Sequence, residues 1–549
     1  MNATKKYGVV YTPSRLADFI AYLIDKEANR DAYTIQTVLD PACGEGALLE
    51  AAERQIKGCK SFYGIDVDKE VISNLSKESN NKMVLIASDT IIPENKGDKT
   101  SDFWRSKLPN ISAVIANPPW STEKIYEKST LASSGFNLYN GQYDSYVLFM
   151  ELAYEIVEKE GYLGFIIPDS LFDSQNEELR RFLVEKTQIR IIARLGEKIF
   201  DEVNRATTVI VCKKSMPNND NVTMCFRLNT KERKEFLTSD TAMSHFYERS
   251  KHPVRQHRFG MNENYTFDID AHESEEQLLM KIKKDCINWD RVFMFGRGVE
   301  VSKKGEVVLC PNCGHAQGYT KAQIEEDKKM CSSCKENLYF NNAPLKNIIQ
   351  DIPKLGSERI LVGENVKRYS LEGENYIDIG VQGINYKNKD LYNPPKILIR
   401  KTGLGIYASI DYSSGMTSQT VYIIRYKNAV VSPPLEYYLG VLNSMVVYYY
   451  YLKTYGENEW KSHPYFTKKI IFSLPLKVYR GDELDNKIIK LVKRLGQEYS
   501  YKVDIELEKL IMERYDLTTA ERNIIFEEIN KLPDLSAING MKFKGEDWI

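Results

Sequence analysis

Asn117-Pro118-Pro119-Trp120 is where this 549-residue chain concentrates side chains able to do chemistry. It follows an apolar run, Ile111 to Ala116, that reads as a strand. Two prolines stiffen the loop and remove backbone donors, leaving carbonyls that face outward. The Asn117 side-chain oxygen and a proline carbonyl could together accept both hydrogens of an amino group. That grip draws the nitrogen from planar towards tetrahedral and frees its lone pair for in-line attack on a sulfonium methyl. No strong base is required, because the proton can leave after transfer. Trp120 offers a face on which a base could stack.

A second chemical segment lies upstream. Val38-Leu39-Asp40-Pro41-Ala42-Cys43-Gly44-Glu45-Gly46-Ala47 runs from an apolar strand through a glycine turn into a helix. Glycine lets the backbone approach a ligand with no Cβ in the way. Loops at the carboxyl ends of strands are where open α/β sheets bind ligands. Gly44-x-Gly46 lacks the third glycine of the dinucleotide fingerprint. The next strand closes on Gly64-Ile65-Asp66-Val67-Asp68, where an acid could accept both hydroxyls of a ribose. The strand after that closes on Ser88-Asp89, and Asp89 could accept from an adenine amino group. Three strand ends in register, each carrying an acid, exceed what helix capping requires. Asp68 is the acid expected to act as a cap.

Four of the nine cysteines form two Cys-x-x-Cys pairs, Cys310/Cys313 and Cys331/Cys334. Four thiolates at this spacing suit one tetrahedral zinc with no open position, hence a structural ion. His315 is expected at the surface rather than as a ligand. The other five cysteines are scattered, which fits a reducing compartment better than a disulfide framework.

The elements that must position these groups can be read in outline. Pro13 opens a helix over Ser14 to Ile24 with Leu16, Phe19, Ile20 and Leu23 on one face. Short apolar strands alternate with helices as far as Thr207 to Cys212, including a long helix at about Tyr143 to Glu158. This alternation predicts a mainly parallel sheet covered on both faces. Four regions follow: a catalytic domain over 1–215, a polar connector over 216–290, a less regular domain over 291–480, and a helical segment over 481–549. Between Arg291 and Arg480 there are 26 basic and 17 acidic residues, a net of +9, whereas the remainder carries −10. A basic region in an otherwise acidic chain suits nucleic acid. Arg297, Lys303, Lys304, Lys367, Arg368, Arg400 and Lys401 are the candidate contacts. The Glu232-Arg-Lys234 segment has no well-placed acidic strand before it and reads as solvated surface, not as a nuclease centre. Met1 to Val10 is polar, and no run approaches the ~20 apolar residues of a membrane span.

Asp40-Pro-Ala-Cys-Gly followed by Asn117-Pro-Pro-Trp resembles the S-adenosylmethionine-dependent N6-adenine DNA methyltransferases. The order is that of their gamma class: cofactor motif, catalytic motif, target-recognition domain. Tyr11-Thr12-Pro13 is similar to that class's N-terminal motif, and Tyr162 to Pro168 to one of its strands. Gly196-Glu-Lys-Ile-Phe200 with Ala206 to Ile210 resembles the motif whose aromatic packs on a flipped adenine. Weaker likenesses continue at Arg359, Lys396 and Leu439. Glu45 departs from the family, which favours a small polar residue there, and Trp120 stands where Tyr or Phe is commoner.

The resemblance implies an α/β, Rossmann-like methyltransferase domain with a mainly parallel seven-stranded sheet. A mixed α+β target-recognition domain with a zinc knuckle and a C-terminal helical segment would follow. It implies that Asn117 and Pro118, on a loop set by Pro119, hold the target amino group, and that Trp120 and Phe200 sandwich the base. Thr12, Asp40, Ala42, Gly44, Asp66 and Asp89 would surround S-adenosylmethionine, and Cys310, Cys313, Cys331 and Cys334 one zinc ion. The partner would be double-stranded DNA, whose adenine must be flipped out of the duplex. A stand-alone cytoplasmic, nucleoid-associated enzyme is expected, partnered with a separate restriction endonuclease or solitary. Other readings stay open: methylation of RNA or of protein amide nitrogen, the amino group of cytosine as target, or a non-catalytic zinc-bearing DNA-binding subunit. The C-terminal helices could pack internally or pair with a second copy.

Overall fold

In the computed structural model, described residues are 12–548 except 79–80, 95–96, 98, 121–125, 140–143, 201–204, 303, 404, 429–431, 457–464 and 533–539. Tyr11, Tyr143 and Lys303 therefore lie outside them. The chain divides into two compact units, Met1–Glu276 with Lys453–Ser462, and Gln277–Leu452 with His463–Ile549.

The first unit is built on one mixed sheet. Its strands are Thr37–Asp40 (β1), Ser61–Asp66 (β2), Met83–Ala87 (β3), Ile111–Ala116 (β4), Val157–Pro168 (β5), Gln188–Gly196 (β6), Thr207–Lys213 (β7), Val222–Arg227 (β8) and His252–Arg255 (β9). They form one sheet in the order β3-β2-β1-β4-β5-β7-β6-β8-β9. Strands β3 to β5 in that order pair in parallel. β7 runs antiparallel to β5 and β6, while β8 pairs parallel with β6. All six residues of β4 are buried, as expected of a strand covered on both faces.

The sheet has nine strands rather than the seven expected. The additional two, β8 and β9, come from the segment read as a polar connector. β8 buries Thr223, Cys225 and Phe226, but it is only six residues long and follows an Asn/Asp-rich turn that masks it in the sequence. Glu232, read as solvated surface, is likewise buried. It closes a capping box with Asn229 and accepts from Arg249 and Ser250.

Helices fill the two faces. Helix Ser14–Arg30 buries Leu16, Phe19, Ile20, Leu23 and Ile24, a stripe at helical spacing. It lies so close to β5 that a Cβ on Gly164 would fall 2.5 Å from the Ile24 side chain. Helix Tyr146–Ile156 is apolar nearly all round and buried accordingly. Strand order reverses between β1 and β4, because the chain first winds outward to β3 and then returns to the other side of β1. The crevice at their carboxyl ends is therefore the place for a ligand.

The second unit is mixed α+β. One four-stranded sheet combines Phe293–Arg297 (β10), Val421–Tyr426, Lys396–Arg400 and Ala408–Asp411, and a second sheet is built around Ser357–Leu361 and Asn375–Asp378. Short hairpins carry the cysteine pairs. Helices Glu483–Gln497, Tyr501–Arg514 and Thr519–Lys531 follow. No helix among the described residues is long and apolar enough to cross a membrane.

Candidate active site and cysteine cluster

A cavity of about 390 Å³ opens at the carboxyl ends of β1 to β4. Small-molecule sites run from roughly 300 to 1,000 Å³. Its walls include Thr12, Asp40, Ala42, Gly44, Asp66, Asp89, Asn117 and Pro119. The three acidic strand ends and the start of the Asn-Pro-Pro-Trp loop thus share one space.

The floor is the glycine loop. Gly44 and Gly46 have φ of +48° and +86°, a region that a side chain makes costly. A Cβ on Gly44 would project into open space, whereas one on Gly46 would meet Leu75 at 2.9 Å. The first glycine keeps the cavity open, and the second lets the helix pack. Asp40 accepts from the Ala42 amide at 3.0 Å, and Asp66 accepts from Gly44 at 2.9 Å and Asp68 at 2.9 Å. A carboxylate has about four lone-pair sites, so Asp66 retains acceptor capacity for a ligand while it holds the loop. Asp68 caps the next helix through the amides of Glu70 and Val71. Burial pushes the Asp40 carboxyl up to about 8, a rise that Ala42 opposes and the neighbouring Asp66 reinforces.

Several contacts here have no signature in the sequence. Tyr126 donates its hydroxyl to Asp89, at 2.9 Å from Oδ2 and 3.0 Å from Oδ1, and the amides of Ile91 and Ile92 also bond Oδ1. Thr90 donates to the Pro41 carbonyl at 2.6 Å and ties two strand ends together. The Ser145 hydroxyl bonds the Pro119 carbonyl, and Arg205 donates to the Trp120 carbonyl at 2.9 Å. Ser145 lies just before a long apolar helix, which is the one hint the sequence offers.

Asn117 donates through Nδ2 to the Thr12 hydroxyl at 3.0 Å. Trp120 and Phe200 are both buried, and their rings meet edge to face, 5.2 Å between centroids and 85° between planes. A base sandwiched between parallel rings needs about 7 Å, two van der Waals layers. The two aromatics are brought together but closed on each other.

In the second unit the four cysteines converge. Their sulfur atoms lie within 4.8 Å of one another, with Cys310–Cys334 at 3.6 Å and Cys313–Cys331 at 3.7 Å. Thiolates around tetrahedral zinc, with Zn–S near 2.3 Å, sit about 3.8 Å apart. Each pair is wound on the same turn. Gly314 and Lys335, one residue past the second cysteine, have φ of +72° and +66°. Their amides bond the carbonyls of Cys310 and Cys331. His315 is outside the cluster and bonds Ser332 at 3.0 Å.

The candidate nucleic-acid contacts separate by partner. Arg368 is buried, in ion pairs with Asp504 and Glu508, and serves the fold rather than a ligand. Lys367 lies 4.0 Å from Glu372. Arg297 bonds the Gln419 side chain at 3.0 Å and lies in the field of Glu300, Arg400 and Lys401 are half-buried, and Lys304 is exposed.

Residues 1–253 match the N-6 DNA Methylase family, and residues 358–476 match the TaqI-like C-terminal specificity domain. A Type II methyltransferase, M.VspI, of Vibrio sp. (strain 343) is 29% identical over 228 residues, 41% of this chain and 52% of that protein. The Type I restriction enzyme MjaVII methylase subunit of Methanocaldococcus jannaschii is 28% identical over 297 residues, 50% and 45% of the two chains. The chain spans about half the length of these curated relatives. The Type IIL restriction-modification enzyme MmeI, solved in complex with DNA, superposes with a TM-score of 0.53 at 11% identity, over 96% of this chain and 79% of that one. At that identity the likeness speaks for the fold.

Proposed function

We propose that this chain, an N-6 DNA methylase domain followed by a TaqI-like C-terminal specificity domain, methylates the N6 amino group of adenine at a specific site in duplex DNA. The observation that carries the reading is the placement of Asn117 and Pro119 on the wall of a cavity that also holds Asp40, Asp66 and Asp89. The donor set fits S-adenosylmethionine. Asp66 suits the ribose hydroxyls, Asp89 the adenine amino group, and the Gly44 backbone leaves room along the floor. When bound, that cofactor supplies an electrophilic methyl group on a sulfonium.

The chain's own residues do the rest. Asn117 Oδ1 and the Pro118 carbonyl accept the two hydrogens of the target amino group and expose its lone pair. Thr12 holds the Nδ2 end of the amide and so presents Oδ1 as the acceptor. Ser145 and Arg205 fix the carbonyls of Pro119 and Trp120, which keeps the loop in shape for that grip. Trp120 and Phe200 part, and the extruded base stacks between the two rings. The proton shed by the nitrogen passes to water. The cysteine cluster holds one structural zinc in the specificity region, and the enzyme works in the cytoplasm at the nucleoid. Similarity to a Type II methyltransferase and to the methylase subunit of a Type I restriction enzyme supports a role in restriction-modification, with a separate endonuclease as partner.

Transfer of radiolabelled methyl groups to duplex DNA, followed by nucleoside analysis, tests the reading. N6-methyladenine is expected with the wild-type chain and none with Asn117→Ala. N4-methylcytosine, or label confined to RNA or protein, would overturn it.

A further inference from the structure

The four-stranded sheet of the second unit presents an uneven charge distribution. In antiparallel pairing, residues directly opposite share a face. Arg297 pairs with Tyr422, and Tyr422 pairs with Ile399. Alternation then sets Phe295, Arg297, Tyr422 and Lys401 on one face, because the Lys401 amide continues the ladder to Thr420. Arg400 falls on the other.

This face combines cations with rings. The Phe295 and Tyr422 rings meet at 4.8 Å. The Lys401 ammonium lies 5.6 Å from the centroid of Tyr465, which is half exposed. Three other lysines of the unit have acids: Lys396 with Asp411, Lys346 with Asp378, Lys387 with Glu300. Arg297 instead is oriented by a neutral group, the Gln419 side-chain oxygen at 3.0 Å. Lys401 is partly desolvated and lies in the field of Arg297, and both effects lower its pKa. Glu300 lies in the field of Arg297 but is itself ion-paired with Lys387, so the two cations still repel and a further anion relieves them. Tyr422 is buried and Phe295 packs against it and Phe472, so Tyr465 is the ring that could lie beside a nucleic-acid strand at this cationic edge.

We infer that the sheet face bearing Arg297 and Lys401 seats a backbone phosphate of the bound DNA, with Tyr465 at its edge. The assignment rests on the DNA reading above and locates where the specificity region grips the duplex. A single base edge would not need two full charges, so these residues position the strand and do not read it.

The test is fluorescence anisotropy of the full chain with a mixed-sequence duplex over a salt series. Arg297→Ala and Lys401→Ala should together flatten the slope of log K on log salt by about 0.9, the contribution of one phosphate. Lys401→Arg should retain the slope, and so should Lys389→Ala, which removes one charge from a lysine 90% exposed elsewhere in the unit. Melting temperature and S-adenosylmethionine affinity should match wild type in all four. Wild-type affinity and slope in the Arg297→Ala/Lys401→Ala double variant would overturn the inference while the DNA reading stands. A changed methylation motif with an unchanged slope would make these residues base readers and also overturn it. A wild-type chain that does not bind duplex DNA would remove the DNA reading itself.

Discussion

Asn117 commits one end of its amide to Thr12, and the chemistry proposed for it depends on which end faces the target. Losing that hydrogen bond costs about 1–2 kcal/mol, roughly a tenfold effect. Thr12→Val is therefore expected to lower kcat about tenfold with cofactor affinity unchanged, and Thr12→Ser to keep activity. Weaker cofactor binding with kcat intact would instead place Thr12 on the cofactor. Asp40 makes a second prediction. Its carboxyl is raised to about 8 by burial, against about 3.9 in an unfolded chain. Between those values the folded protein keeps a proton that the unfolded chain releases, so stability falls as pH rises through the window. Melting curves of wild type and Asp40→Asn should converge at low pH and separate towards pH 8, with wild type falling more steeply. Parallel curves would contradict the assignment.

At the scale of elements, the aromatic pair and the cysteine turns carry the predictions. The closed Trp120–Phe200 contact means that the two rings have to part before a base can stack between them. Base stacking is worth about 1–3 kcal/mol. Phe200→Ala should thus cost ten- to a hundredfold in kcat/KM for DNA and leave cofactor affinity alone; a loss of cofactor binding would make Phe200 a core residue only. The two cysteine turns predict one zinc per chain by elemental analysis. Cys331→Ser should lose it and expose the hairpins at Glu306–Leu309 and Asn337–Leu338 to protease, while cofactor binding persists. A metal-free wild type resistant to chelators would sink the zinc assignment. The turn geometry was legible because Cys-x-x-Cys spacing constrains the backbone locally. The strands β8 and β9 were not, because a short strand at the edge of a large sheet needs little apolar periodicity of its own.

Over the whole molecule, local and long-range features were legible to different degrees. The order of the first seven strands, the glycine loop and the Asn-Pro-Pro-Trp loop follow from short-range patterns in the sequence. Tyr126 on Asp89, Ser145 on Pro119 and Arg205 on Trp120 join residues tens of positions apart, and only the folded chain brings them together. Charge shows the same division. The excess of cations over 291–480 is visible as composition, but Arg368 is spent on Asp504 and Glu508, whereas Arg297 hydrogen-bonds the neutral Gln419 side chain. Composition sees the total and not the pairing. The Asn117-Pro118-Pro119-Trp120 loop is proposed to methylate adenine in DNA. Expressing wild type and Asn117→Ala in a methylation-free host and sequencing the genome with single-molecule modification detection tests it most directly. N6-methyladenine in one short motif is expected with wild type and none with the variant. Unmodified DNA from soluble wild-type protein that binds S-adenosylmethionine would contradict it.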